Sequence, residues 1–408
     1  MKIVRIIARL NVGGPARHVV WLTQALQNEE FTSVLISGIP PEGEEDMSWF
    51  AAAHGVEPHY IAEMSRELSA KDAVSLWKVY REFKREKPDV VHTHTAKAGT
   101  IGRVAGLFYR WLTWKTLIGK PRPVKFVHTY HGHVFHSYYG HRKTQVFLFV
   151  EKTLARFATD KIVVISNQQY REIHERFGVG KAVQFQIVPL GIDLAPFQRT
   201  QEKRGVLREQ IGAGDDEILV GLVGRLTEIK NISLFLKVAG IYKKNQNSGL
   251  PSMQFVIIGD GHLRESLEKE AADSDIKEVV TFLGNRNDAD VFYAGLDVVA
   301  LTSDNEGTPL SLIEAMANSR PVISTAVGGV VDLIGDIVEE KERFTICERG
   351  VRVAPNDAGA FFEGLMYLAK DGKLRDEAGN RGRSFVVSNY SKERLVTEIK
   401  ELYCALFQ

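Results

Sequence analysis

The chain has 408 residues, 44% hydrophobic and 25% charged, with a formal net charge of +1. That length exceeds one ordinary domain and fits two of roughly 200 residues each. A nearly balanced charge excludes a global field for nucleic acid, and the composition is that of an ordinary soluble globular protein.

Cys347 and Cys404 lie far apart and in no motif, so no disulfide framework is expected and a reducing compartment fits. Arg5 and Arg9 interrupt the N-terminal apolar stretch, and no small-residue cleavage site follows, unlike a signal peptide. No uncharged apolar run approaches membrane-spanning length. The expected location is cytoplasmic. Charge is nevertheless uneven: Val90–Val150 holds nine Lys/Arg, no Asp or Glu, and seven of the twelve His.

In chain order, short β-rich runs alternate with helical segments, which predicts parallel sheets covered by helices on both faces. Ile3–Ala8 reads as a strand and Ala16–Gln27 as a helix. Strands at Ser33–Ser37, Val90–His92, Phe126–Thr129 and Ile162–Ile165 follow. Between them lie helices near Ala70–Lys84, Gly102–Tyr109, Gln145–Phe157 and Gln168–Phe177. Val188–Gly205, with its Pro, Gly and charged residues, reads as an interdomain connection. The alternation then restarts with strands Ile218–Val223, Phe255–Ile258, Thr281–Leu283, Val298–Leu301 and Val322–Thr325. Their helices are Ser233–Lys243, Leu263–Ala271 and Pro309–Asn318, and an amphipathic helix, Glu393–Leu406, ends the series. The reading is α/β with two Rossmann-like domains: residues 1–195, residues 196–385, and a final helical segment, 386–408, crossing back to the first.

The richest segment is Asp304–Gly329. Thr308 is a candidate N-cap and Pro309 a natural first helical residue. The free amides near Leu310 and Ser311 can then receive an anion, aided by the helix dipole. Glu306 precedes this point by a short step through Gly307. Glu314 lies about five residues inside the helix, roughly 7.5 Å along its axis. A carboxylate on each side of a phosphate-binding helix start suits a nucleotide sugar, with Glu306 facing hexose hydroxyls and Glu314 ribose hydroxyls. A second piece, Gly221–Asn231, ends a strand at Gly224 and then presents Arg225 and Lys230. A guanidinium fork and an ammonium from one βα loop suit a diphosphate. In the first half, Gly13 and Gly14 stand between strand and helix, ahead of Pro15, where backbone can approach a ligand closely.

Taken together these motifs resemble family 4 of the retaining glycosyltransferases, which share the GT-B fold of two Rossmann-like domains facing each other across a deep cleft. The markers are Gly13–Gly14, HTHTAKAGTIGR at His92–Arg103, HTYHGH at His128–His133 and VPLGID at Val188–Asp193. They continue with GRLTEIKN at Gly224–Asn231, IGDG at Ile258–Gly261, FLGNRND at Phe282–Asp288 and the pair Glu306–Glu314. The resemblance implies that Arg225 and Lys230 bind the donor diphosphate and that Glu306 touches the transferred sugar. It further implies that Glu314 holds the ribose, that backbone near Arg286 meets the base, and that His131 sits by the bond being broken. His94, Lys97 and His133 are acceptor-side candidates. The His-rich stretch is most similar to the branch building capsular, O-antigen and exopolysaccharide units, which implies a UDP-sugar donor and a saccharide or lipid-linked acceptor.

No metal cofactor is expected, because preorganised cations can stabilise the leaving diphosphate. The strings Asp273–Asp275 and Asp288–Asp290 are read as helix-end acids rather than metal ligands. Two rivals remain: a nucleotide-sugar epimerase of the same fold, and a metallohydrolase built on His92, His94, His131 and His133. Finally, Gly106–Phe126 interleaves Phe108, Tyr109, Trp111 and Trp114 with Arg110, Lys115, Lys120, Arg122 and Lys125. That composition suits peripheral contact with an anionic membrane on its cytoplasmic face; the competing reading is a helix packing its aromatics inward.

Overall fold

The structure, a computed structural model, describes residues 1–11, 13–40, 46–64, 71–131, 141–198 and 200–408. His133 lies outside the described residues. The chain divides into two compact units, Met1–Gly191 with Lys392–Gln408, and Ile192–Ser391.

In the first unit the strands are β1 (Lys2–Ile7), β2 (Thr32–Ser37), β3 (His59–Tyr60), β4 (Val90–His94), β5 (Lys125–Thr129), β6 (Lys161–Val164) and β7 (Phe185–Ile187). They form a parallel sheet in the order β3-β2-β1-β4-β5-β6-β7. Its helices are α1 (Gly14–Ala25), α2 (Ser48–Ala53), α3 (Lys71–Glu86), α4 (Ala96–Trp111), α5 (His141–Phe157) and α6 (Asn167–Tyr170). Central strands such as Val-Val-His-Thr-His of β4 are buried at every residue, which parallel strands covered on both faces require. The sheet's order reverses between β1 and β4, the switch point of a Rossmann fold.

The second unit begins with α7 (Thr200–Ile211), where the sequence reads as a loose connection. Three of its basic residues are paired: Lys203 with Asp290, and Arg204 and Arg208 with Asp297 at 2.6 and 2.9 Å. The strands are β8 (Ile218–Val223), β9 (Met253–Ile258), β10 (Val280–Gly284), β11 (Val298–Leu301), β12 (Val322–Thr325), β13 (Ile337–Glu340), β14 (Phe344–Cys347) and β15 (Gly350–Val353). The sheet order is β10-β9-β8-β11-β12-β15-β14-β13. It is parallel except for an antiparallel hairpin edge at β13–β15 that sequence patterning missed. Around it lie α8 (Ile232–Asn245), α9 (Arg264–Asp273), α10 (Ala289–Gly295), α11 (Leu310–Ala317), α12 (Val330–Ile334), α13 (Ala358–Ala369) and α14 (Gly372–Asn389). Phe235, Phe255 and Phe361 are fully buried at the centre of its core.

The last helix, α15 (Lys392–Ala405), belongs to the first unit, where Leu395, Ile399, Leu402 and Tyr403 pack on Ile3, Val90 and Val127. No helix among the described residues is long and apolar enough to cross a membrane.

Candidate active site

In the second unit the sheet order reverses between β8 and β11, where open α/β sheets bind ligands beyond the carboxyl ends of their strands. Two loops leave this point. The one after β8 runs through Gly224 and Arg225 into a short 3₁₀ turn, Glu228–Lys230. The one after β11 carries Thr302 through Pro309 to α11. Asp304 N donates to Ile229 O at 2.9 Å, and Thr302 Oγ1 donates to Lys230 O at 3.0 Å. These bonds bring Lys230 Nζ to 2.5 Å from Glu306 Oε1. Ser303 Oγ donates to the same oxygen at 2.6 Å, and Thr325 Oγ1 in turn fixes Ser303 O at 2.6 Å. Arg225 is exposed and has no ion pair among the described residues.

A third loop seals the Glu306 backbone from below. Gly328 has φ +55°, and a Cβ there would lie 1.7 Å from Glu306 O. Gly329 N donates to Gly307 O at 2.8 Å. Only glycine fits such a left-handed close approach. Similarly, a Cβ on Gly259, after β9, would lie 2.0 Å from Gly224 O, so the loops after β8 and β9 touch backbone to backbone.

The helix start differs from expectation by one residue. Pro309 (φ −71°, ψ 114°) is the N-cap of α11, and no side chain caps it. Thr308 Oγ1 is instead buried without a hydrogen-bond partner. An extended Pro309 cannot itself be helical, so Leu310 leads the helix. Leu312 N and Ile313 N donate to Pro309 O at 3.2 and 3.4 Å, while the amides of Leu310 and Ser311 precede the first intrahelical bonds. Glu314 lies on the same helix, half-buried. The Arg286 side chain is turned away: its guanidinium forks onto Asp288 and reaches Gln210 Oε1 at 2.5 Å. Asp288 and Asp290 of the second D-x-D string are thus taken up by Arg286 and Lys203. Asp288 does stand at the N-cap of α10, but its carboxylate caps no amide.

The first unit supplies a histidine cluster at its own switch point. His94 ends β4, and His131 follows β5 by two residues. His94 Nδ1 and His131 Nε2 lie 2.9 Å apart, with stacked rings. His18, from α1, meets both rings edge-on at centroid distances of 5.6 and 4.8 Å. His92 binds inward, to Tyr403 Oη of α15 at 2.5 Å and Thr129 Oγ1 at 2.7 Å. His128 Nδ1 faces Thr93 Oγ1 at 2.8 Å. Burial is the leading cause that pushes all five imidazoles below their usual value, His131 to about 3. They are therefore neutral at physiological pH.

Gly13 is the N-cap of α1 and Gly14 its first residue, two earlier than the patterning of apolar residues predicts. Thr95, between His94 and α4, holds φ +68° and ψ 156°, a strained backbone of the kind found at functional sites. Lys97 is buried in α4, and its ammonium lies 2.7 Å from Asp72 Oδ1. Of the metallohydrolase set, His94 and His131 meet, His92 is taken up by Tyr403 and Thr129, and His133 lies outside the described residues. His18 and Tyr403 are the residues that sequence reasoning passed over. His18 stands one turn into the helix after the Gly-Gly pair, but nothing in its spacing ties it to His94 or His131.

Comparison with known proteins follows this division. The model of Glycosyl transferases group 1 matches residues 203–385, and that of Glycosyltransferase Family 4 matches residues 12–196. A UDP-Gal:α-D-GlcNAc-diphosphoundecaprenol α-1,3-galactosyltransferase of Escherichia coli is 29% identical over 353 residues, 85% of this chain and 84% of that protein. The capsular polysaccharide biosynthesis glycosyltransferase CapM of Staphylococcus aureus is 25% identical over 84% of each chain. Among solved structures, HepE of Anabaena in complex with UDP superposes with a TM-score of 0.79 at 17% identity, over 99% of this chain and 100% of that one. Two Rossmann-like units, matched in turn by the two halves of one enzyme family, make this chain a member of the family 4 glycosyltransferases, a retaining family with the GT-B fold.

Proposed function

We propose that the chain transfers a hexose from a UDP-sugar, with retention, to a saccharide or lipid-linked acceptor in surface polysaccharide or glycoconjugate synthesis. The observation that carries the donor assignment is the Lys230–Glu306 pair at the β8/β11 switch point, beside exposed Arg225 and the start of α11. In this reading the donor's diphosphate takes the ammonium of Lys230, the guanidinium of Arg225 and the first amides of α11 at Leu310. Glu306 and the backbone of Gly307, Thr308 and Pro309 then face the sugar, and Glu314 the ribose. The base lies along the backbone at Arg286. Gly13, Gly14 and His131 of the first unit serve the sugar, and His94 and Lys97 the acceptor. The names of the Escherichia coli and Staphylococcus aureus relatives support a UDP-sugar and a polysaccharide product.

As the anomeric C–O bond breaks, its electron pair goes to the diphosphate and positive character grows on the sugar. Fixed cations and helix amides meet that charge without reorganising, which is where such sites gain most. The acceptor hydroxyl attacks from the leaving-group face, and the departing phosphate oxygen takes its proton. A neutral His131 suits hydrogen bonding to the sugar better than proton uptake. Transfer needs no metal in this reading, and activity is expected to survive EDTA. A screen of UDP-, GDP- and ADP-sugars by thermal shift and hydrolysis tests the donor: UDP should stand out, and preference for another nucleotide rejects it. An epimer formed from UDP-GlcNAc alone would favour the epimerase instead.

Peripheral membrane contact at the cytoplasmic face joins this reading. Tyr109 is buried, and Arg110 and Arg122 lie over the rings of Phe126 and Tyr109 at 4.4 Å each. Those members of the basic aromatic stretch are internal. The end of α4 and the 3₁₀ turn Trp114–Ile118 instead expose Trp111, Leu112, Leu117 and Ile118, and above all Trp114 at 87%. Lys115 and Lys120 flank them. Each lysine near an anionic surface adds about 1 kcal/mol of attraction. Co-sedimentation with phosphatidylglycerol vesicles at low salt should be lost in Trp114→Glu/Leu117→Glu; no sedimentation of the wild type rejects the contact.

A further inference from the structure

Three imidazoles converge in the first unit from α1, the end of β4 and the loop after β5. One ring nitrogen from each of His18, His94 and His131 lies within 4.8 Å of the other two. Both nitrogens of His18, Nε2 of His94 and Nδ1 of His131 are buried with no hydrogen-bond partner among the described residues. Orphaned buried polar atoms are rare in native proteins, and the wholly unpartnered ring of His18 beside the other two calls for a ligand. We propose that His18, His94 and His131 form a site for one divalent transition-metal ion of the zinc class.

The chemistry fits in three respects. Metal ligation needs neutral imidazole, and burial holds all three rings neutral, so protons do not compete near pH 7. Tetrahedral zinc with Zn–N of about 2.0–2.1 Å sets its nitrogens about 3.3–3.4 Å apart. The widest separation, within 4.8 Å, must therefore close by up to about 1.4 Å, which is within reach of side-chain rotation. Three histidines also leave the fourth position open.

Two further consequences follow from the surroundings. With both rings neutral, the 2.9 Å bond between His94 Nδ1 and His131 Nε2 leaves one free nitrogen with a lone pair and the other with a proton. Three-histidine ligation therefore breaks that bond and moves one ring to its other tautomer. The groups acting electrostatically on these rings are histidines together with Arg5 and Arg394. A bare dication is disfavoured among them, so the open position should take an anion such as hydroxide or chloride.

Titration of the full chain with Co²⁺ or Zn²⁺ reads the site directly. One equivalent should bind, with the visible absorption of four-coordinate cobalt. His18→Gln should weaken binding by more than the roughly 10–100-fold that loss of an outer-shell partner costs. X-ray absorption at the zinc edge on the wild type should show three imidazoles, and this measurement stands even if His18→Gln does not fold. No uptake, uptake unchanged in His18→Gln, or a shell without imidazoles overturns the proposal. Occupancy would also withdraw His131 from the sugar and so inhibit transfer, a consequence that rests on the proposed function. Metal uptake with undiminished transfer would reject that role for His131 and leave the metal site standing.

Discussion

Replacing Lys230 by Met removes one ammonium while keeping much of its stem, and the structure sets the size of two separate effects. The first is catalytic. A preorganised group aimed at developing charge contributes about 2.7–4 kcal/mol, so kcat should fall roughly 10²–10³-fold. The second is on stability. Exposed ion pairs are worth about 0–1 kcal/mol, whereas breaking a fully buried one costs about 3–5 kcal/mol. Lys230 and Glu306 are 21% and 11% exposed, and Ser303 Oγ still donates to the carboxylate. An intermediate loss of about 1–2 kcal/mol follows, or a Tm lower by roughly 2–8 °C. Steady-state transfer and a thermal melt separate the two. The double variant K230M/E306Q should regain most of the melt, since no lone carboxylate remains, but none of the turnover. A kcat/KM for Lys230→Met within about threefold of wild type, under about 0.7 kcal/mol, would refute the assignment of Lys230 to the diphosphate.

Three other outcomes are expected. Glu314→Ala should weaken UDP roughly 10–150-fold by calorimetry, the value of a charged hydrogen bond of about 1.5–3 kcal/mol. Gly328→Ala puts a methyl 1.7 Å from Glu306 O at φ +55°; it should raise the donor KM far more than it lowers Tm, because the displaced loop carries Glu306. Stability should also fall in mild acid. Unfolded histidine takes up a proton near pH 6.5, while folded His131 does so only near 3, so the unfolded state gains protons first as pH drops. By pH 5 that one group costs about 2 kcal/mol, and His18, His92, His94 and His128, all lowered by burial, act in the same direction. Urea unfolding at pH 7 and 5 measures it.

The α/β alternation was legible because parallel strands buried on both faces, such as Val298–Leu301 and Val322–Thr325, must be short, continuous and apolar. The loops proposed for the donor were legible as strand-to-helix connections because their residues are close in sequence to the strand ends that position them. The hairpin edge of β13–β15 was not: Ile337–Glu340 is exposed throughout, so it lacks the buried pattern that marks a strand. Helix α7 was mistaken for a connection because its basic residues look solvated until Asp290 and Asp297, distant in sequence, are brought against them.

Local chemistry alone was therefore enough to specify two Rossmann-like halves, the Gly turns and the acidic residues around a helix start. Tertiary structure alone decided which cations and carboxylates meet, as Lys230 with Glu306 across 76 residues, and which histidines share one buried space. It also decided which aromatics near Trp114 stay exposed. Such pairings depend on sheet order and register, and those are set by how many distant segments pack at once rather than by any one segment's pattern.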